Sequence, residues 1–140
     1  MQQKLILFPM LALVGLTFLV WVRMYQLRIH YLRSNRISPE KYKLRKGYED
    51  VPPTVMAASD NLMNLFEMPV LFYAAVLTLY ITQTADPFFV IMAWVFVTLR
   101  FVHSAIHVTY NRVVHRFSAY FAGALVLWCL WARLAFILIR

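Results

Sequence analysis

Long apolar runs separated by short polar segments dominate this chain. Four of the runs are long enough to form helices that cross a membrane, over residues of about 5–28, 54–82, 87–110 and 117–139, since a spanning helix needs about 20 apolar residues. The pattern therefore predicts an all-α protein with a single domain, an integral membrane four-helix bundle.

The first run indicates a retained helix and not a cleavable signal peptide. The apolar region of a signal peptide usually has about 7–15 residues and ends in small residues. Here the uncharged stretch extends from Leu5 to Val22 and is followed by Arg23 and Tyr25. Aromatic and basic residues of this kind are typical of a helix that ends at the membrane interface.

The second run begins with a polar face. Asp60, Asn64 and Glu67 have the spacing i, i+4 and i+7, so they share one face of a continuous helix. No charge follows from residue 68 to residue 85, and an acid at such a membrane edge is costly unless it faces protein, water or a ligand. Simple solvation at the interface explains Asn64 and Glu67 equally well. Pro69 predicts a kink just after Glu67.

The third run carries an arginine at the depth of the hydrocarbon core. Arg100, His103 and His107 have the spacing i, i+3 and i+7 and face the same way. Because a buried arginine needs an acid or a water-filled cavity, we predict a Glu67–Arg100 pair or shared network, within one chain or across a subunit interface. No glutamate completes a His-Glu-x-x-His zinc motif after His103, so no metal site is expected.

Composition and charge agree with a membrane protein. The chain is 62% hydrophobic, against about 45–50% in soluble domains. Its net charge of +8 comes mainly from two loops, which hold seven Lys or Arg from Arg28 to Lys46 and then Arg112 and Arg116. The positive-inside rule places both loops in the cytoplasm and both termini outside it. The charge is thus explained without nucleic acid, although attraction of anionic lipid or substrate is an alternative.

The order of these features resembles that of the MAPEG family, the membrane-associated proteins in eicosanoid and glutathione metabolism. The resemblance covers nearly the whole chain and includes the four-helix topology. The residues that carry it are Asn64, Glu67, Pro69, Arg100, Arg112, Arg116 and Tyr120. Two positions depart from the family pattern: Asp60 stands where an arginine is usual, and His107 stands where a tyrosine is common.

The resemblance implies a homotrimer that binds glutathione between neighbouring subunits near the cytoplasmic side. Arg116 matches the arginine proposed to stabilise the glutathione thiolate, and it is the candidate catalytic residue. The candidate glutathione-binding residues are Asn64, Glu67, Arg100, His103, His107, Arg112 and Tyr120. The other expected partners are membrane lipids and a lipophilic small molecule.

Three functions are compatible with these residues. The first, implied by the resemblance, is a glutathione-dependent transferase or peroxidase that acts on a lipophilic electrophile, in a bacterial inner membrane because no organelle signal is visible. The second is a non-catalytic binding or scaffold protein whose polar network is structural. The third is a small transporter or proton-relay subunit that uses the intramembrane ionisable residues Glu67, Arg100, His103 and His107.

Overall fold

The computed structural model describes residues 2–38, 40 and 50–140. The elements of these residues are the 3₁₀ helix Gln2–Ile6 and the helices α1 (Leu7–Ser34), α2 (Pro53–Asn64), α3 (Met68–Ile81), α4 (Pro87–Val108) and α5 (Val113–Ile139). Much of the predicted basic loop falls on residues 41–49, which lie outside the described residues.

Four helical segments of the described chain are long and apolar enough to cross a membrane. They are Gln3–Ser34, Pro53–Ile81, Pro87–Val108 and Val113–Ile139. Large apolar side chains on their outer surfaces, such as Phe18, Ile91 and Phe121, are more than half exposed, which suits contact with lipid rather than with water. The structure confirms the predicted all-α class for the described residues and shows four helical segments with the length and composition of membrane spans.

α1 is longer than the apolar pattern indicated. It continues past Arg28 to Ser34 and ends where Arg36 adopts a left-handed conformation with φ 51°. The backbone N–H of Ile37 donates to the carbonyl of Leu32 across this turn at 3.0 Å, as in a Schellman cap. Hydropathy marks where a helix leaves the lipid, and it does not report where the backbone hydrogen bonds stop.

The second span consists of two helices. α2 ends at Asn64 and α3 begins at Met68, with Pro69 in its first turn. Because proline has no N–H to donate to the carbonyl four residues earlier, the helical ladder is interrupted there. The break occupies Leu65–Glu67, directly before the expected kink position. Asp60 and Asn64 therefore belong to one helix, while Glu67 precedes the other, and the three do not share one continuous helical face.

Packing is most extensive between α4 and α5. The end of the bundle that carries the α3–α4 connection is closed by side-chain contacts. Asp86 accepts a hydrogen bond from the backbone N–H of Phe89 at 3.1 Å and also pairs with Arg133 of α5. Gln3 bonds to the backbone of Gln83 and Ala85, each at 3.0 Å. This end is held by contacts that connect the chain start, the α3–α4 connection and α5.

Candidate functional site

Arg100 lies at the centre of the polar cluster between α4 and α5. Only 1% of its surface is exposed, and neither terminal guanidinium nitrogen has a hydrogen-bond partner among the residues that the structure describes. Its guanidinium carbon lies 5.3 Å from the ring centre of Phe96 and 4.8 Å from that of Tyr120. Gly123 of α5 lies beside the guanidinium, and a Cβ added to it would be 3.8 Å from the guanidinium nitrogens, an ordinary van der Waals distance.

The predicted Glu67–Arg100 ion pair is not formed within one chain. Glu67 is exposed beside the helix break, and the terminal nitrogens of Arg100 remain without an acceptor. A direct pair across a subunit interface stays a prediction.

The two histidines lie together on the inner face of α4. His103 and His107 are both buried, with ring centres 5.2 Å apart. His103 Nδ1 lies 3.0 Å from the backbone carbonyl of Arg116. A carbonyl only accepts, so Nδ1 carries the proton and Nε2 of the neutral ring is an acceptor. That Nε2 atom and both ring nitrogens of His107 have no partner in the described part of the chain.

Arg116 reaches the same cluster from the start of α5. Its side chain is half-buried and donates to Asn111 Oδ1 at 2.9 Å. Asn111 has a φ of 47°, a left-handed conformation that asparagine tolerates better than most residues. Tyr120 follows one turn later and lies 6.0 Å from the His103 ring. The α4–α5 pair therefore assembles a cluster of Arg100, His103, His107, Arg116 and Tyr120, which we call the Arg100 cluster.

Three predicted residues lie outside that cluster. The Asn64 side-chain amide donates to the carbonyl of Asp60 at 2.8 Å, within its own helix. Arg112 is exposed at the start of α5, and Glu67 is exposed at the break in the second span. Within the described residues, no side-chain hydrogen bond or ion pair connects Asn64, Glu67 or Arg112 to the Arg100 cluster. No group of three possible metal ligands occurs in the described chain either.

Asn61 is a buried polar residue that the predicted polar face of the second run did not include. It is 0% exposed and accepts a hydrogen bond of 3.0 Å from Ser104 Oγ, which links α2 to α4. Its Nδ2 has no partner among the described residues. Asn61 continues the buried stripe of Val55 and Ala58, with a helical spacing of three. This stripe, and not the neighbouring face of Asp60, is the signal that could have found it.

Comparison with protein families agrees with this architecture. The family model described as the MAPEG family matches residues 6–136 of the 140. No curated protein and no solved structure gives a significant match. The family match spans all four membrane segments and the whole Arg100 cluster, so this chain belongs to the MAPEG family.

Proposed function

We propose that the protein is a membrane-embedded, glutathione-dependent transferase or peroxidase that acts on a lipophilic electrophile. Family membership supports glutathione as the substrate, since members of the family generally use it. The observation that carries the proposal is the guanidinium of Arg100, which is 1% exposed and has no acceptor for either terminal nitrogen among the described residues. A buried donor in this state gains much from an anionic ligand.

The chemistry of the cluster fits glutathione as a ligand. Glutathione carries two carboxylates, an amino group and several amide acceptors. Arg100 and Arg112 would hold carboxylates, and Glu67 would receive the amino group. Asn64 would donate to an amide carbonyl once its side chain turns away from its own helix. The unpartnered nitrogens of His103 and His107 add further polar positions close to Arg100.

Arg116 is the residue that would activate the reaction. The bound tripeptide supplies a thiol, and a thiol attacks an electrophile only as the thiolate. A nearby guanidinium lowers the pKa of such a thiol because opposite charges attract. The bond to Asn111 holds the Arg116 guanidinium at the start of α5, and the half-exposed position limits the cost of keeping it charged.

Assembly as a homotrimer would complete the site. In one chain, Glu67 lies exposed on a spanning segment, while the terminal nitrogens of Arg100 have no acceptor in the part of the chain that the structure describes. Exposing a carboxylate to lipid is costly, so a neighbouring subunit that covers Glu67 would lower the free energy of the assembly. Glutathione would then bind between subunits, near the end of the bundle that carries the α4–α5 connection.

The orientation proposed from the basic loops places that end in the cytoplasm and both termini in the periplasm of a bacterial inner membrane. Glutathione is a cytoplasmic thiol, so this orientation would supply the site directly. Cys129 is exposed and is the chain's single cysteine. A Cys129→Ser variant would serve as the background for single cysteines placed in each loop and labelled from one side of intact cells.

Calorimetric titration of the purified oligomer with glutathione tests the proposal. We expect saturable binding, together with ultraviolet thiolate absorbance at neutral pH. Ophthalmate, which replaces the thiol with a methyl group, should bind without this absorbance. Conjugation of a model lipophilic electrophile should then follow the thiolate signal. If glutathione binds without a depressed thiol pKa, the scaffold function replaces the transferase, and pH-dependent flux in liposomes without glutathione binding would favour transport.

A further inference from the structure

A second candidate binding site lies in a groove between α1, α2 and α4. The groove has a volume of about 340 Å³, within the range of roughly 300–1,000 Å³ that is usual for small-molecule sites. None of the predicted glutathione residues lines it. Its walls are mainly apolar and include Leu16, Leu19, Val20, Phe101 and Ala105.

One hydrogen-bond donor interrupts these apolar walls. Asn61 lines the groove, and its amide oxygen accepts from the hydroxyl of Ser104. In this orientation Nδ2 is the end of the amide that has no partner among the described residues. A buried amide N–H without an acceptor is destabilising. A neutral acceptor, such as an ester carbonyl in the groove, would satisfy it.

A cation lies at one end of the same groove. Arg23 is exposed and lines both the apolar groove and a smaller cleft of about 180 Å³. Ala58 and Val108 also line both cavities. The smaller cleft also contains the polar residues Thr54 and Asn111. Arg23 is the first charged residue after the uncharged stretch of α1, where basic residues meet lipid headgroups.

These groups follow one order along the bundle axis. α1 and α4 both run toward the end that carries the α1–α2 connection, so Arg23 and Val108 lie nearer that end than Leu16 and Phe101. Asn61 lies between the two levels, since it bonds to Ser104, which stands between Phe101 and Val108 on α4. From the end inward, the groove presents a cation, a neutral donor and then an apolar channel. A membrane phospholipid has the same sequence of groups: phosphate, ester carbonyl and acyl chain.

We propose that the groove is a specific site for one anionic phospholipid of the surrounding membrane. The phosphate pairs with Arg23, the ester carbonyl accepts from Asn61 Nδ2, and one acyl chain packs against the apolar walls. Charge complementarity favours an anionic headgroup, because Arg23 meets no acid among the residues that line the two cavities. The site does not depend on glutathione, although His107 of the Arg100 cluster lines the smaller cleft.

Native mass spectrometry of the glutathione-free oligomer tests this site. The protein is released from nanodiscs of phosphatidylglycerol or phosphatidylcholine with identical acyl chains, and retained lipids are counted. We expect phosphatidylglycerol to be retained and phosphatidylcholine to bind about tenfold more weakly, because the choline cation of phosphatidylcholine offsets the phosphate charge that attracts Arg23. Arg23→Gln should abolish that preference. Arg33→Gln, an exposed arginine on the same helix but outside the groove, is the matched control.

Two further variants test the inner part of the groove. Asn61→Leu should weaken retention of both lipids several-fold, because it removes the donor to the ester carbonyl. Leu19→Trp should displace both lipids by filling the channel. Because Leu19 is exposed, this variant should fold even if Asn61→Leu does not assemble. Equal retention of the two lipids, equal effects of Arg23→Gln and Arg33→Gln, or unchanged retention in Leu19→Trp would overturn the proposal. So would recovery of a detergent or a free fatty acid alone.

Discussion

Among the single residues, Arg100 combines deep burial with nitrogens that lack acceptors. Contacts with the rings of Phe96 and Tyr120 contribute about 0.5–2 kcal/mol each as cation–π interactions. Burying a charge costs several kcal/mol even after the protein relaxes. The aromatic contacts therefore offset part of the cost, and a ligand or a neighbouring subunit is expected to supply the rest.

Arg100→Met tests whether this residue serves binding or stability. Replacing a buried charge with an apolar side chain of similar length is often neutral or stabilising, by about 1–4 kcal/mol. We expect the variant to remain folded while its affinity for glutathione falls at least about tenfold, since a hydrogen bond to a charged group is worth about 1.5–3 kcal/mol. Thermal unfolding in detergent and calorimetric titration measure the two effects. Arg100 would instead have a structural role if the variant unfolds and the fraction that stays folded binds glutathione with unchanged affinity.

Arg116→Ala tests the candidate catalytic residue. Its half-buried side chain makes one side-chain hydrogen bond in the described chain, to the amide of Asn111, so removing it should lower stability by about 1 kcal/mol. The backbone carbonyl that accepts from His103 is kept. The pKa of the bound thiol should rise, and each unit of that rise corresponds to about 1.4 kcal/mol. Less thiolate is then present at neutral pH, so the conjugation rate should fall there and recover as the pH is raised.

Thiolate absorbance followed against pH in the wild type and in Arg116→Ala measures this change. Arg140→Ala is the control, because it removes an exposed arginine at the far end of α5. Asn111→Gly keeps the left-handed backbone accessible but removes the group that holds Arg116, so an intermediate rise in thiol pKa is expected. Identical titration curves for all four proteins would exclude Arg116 as the group that activates the thiol.

The sequence predicted the cluster on α4 better than the polar face of the second span. Arg100, His103 and His107 follow one regular helix, so spacing alone places them together. Asp60, Asn64 and Glu67 were related by the same rule, but the break at Leu65–Glu67 removes the continuous helix that the rule requires. Asn61 was missed because its pairing with Ser104 depends on how two helices pack, which one-dimensional spacing does not contain.

Of the helical elements, the second span has the least regular backbone. The N–H groups of Leu65 and Phe66 bond three residues back, at 3.1 and 2.9 Å, which is the tighter 3₁₀ pattern. Glu67 has a φ of −94° and a ψ of −102°, outside the usual helical region. Pro69 has no N–H for the carbonyl of Leu65, and the backbone leaves the helical path at Glu67.

Pro69→Ala is expected to extend the helical ladder through the break. Alanine supplies an N–H for the carbonyl of Leu65 and strongly favours helix, by about 3 kcal/mol over proline in a helix interior. Hydrogen exchange of the amides of residues 66–68 and of Val70 should slow, and glutathione binding should weaken as Glu67 changes position. Val70→Ala, in the same turn and exposed, is the control. Unchanged exchange in Pro69→Ala would mean that tertiary packing holds the break without the proline.

Helix existence was easier to predict than helix ends. Each apolar run became a spanning segment because lipid contact imposes a composition that is visible in the sequence. The extension of α1 from Arg28 to Ser34 continues beyond the apolar stretch, where charged and polar residues also form good helices. Its end is set by the left-handed Arg36, a residue type with no special preference for that conformation.

For the molecule as a whole, the described surface explains why further subunits are expected. Glu67 is exposed on a segment that spans the membrane, whereas Arg100 inside the bundle lacks an acceptor. One narrow four-helix unit does not bring these two charges into contact. A symmetric trimer with the second span near its centre would cover Glu67 and place it near a neighbouring arginine.

Native mass measurement in a mild detergent should therefore give a trimer. Glu67→Gln and Arg100→Gln should each weaken assembly, and the double variant should lose less than the sum of the two single losses if the side chains interact. Glu67→Gln paired with Arg140→Gln gives the control cycle, in which the losses should be additive. A monomer in mild detergent would count heavily against the trimer, and strict additivity for Glu67 with Arg100 would show that these side chains do not interact.

The contacts around Asp86 give the bundle a mechanical asymmetry. Arg133 and Gln3 connect three parts of the chain at that end, whereas the break at Leu65–Glu67 lies near the middle of the second span. If the helices separate in thermal motion, the connected end acts as the pivot and the displacement grows with distance from it. The displacement at Arg100, more than halfway along α4 from that end, is then larger than at Asp86. A lipophilic molecule that diffuses in the bilayer would gain entry from that side, and the ion pair at the far end would set how wide the opening becomes.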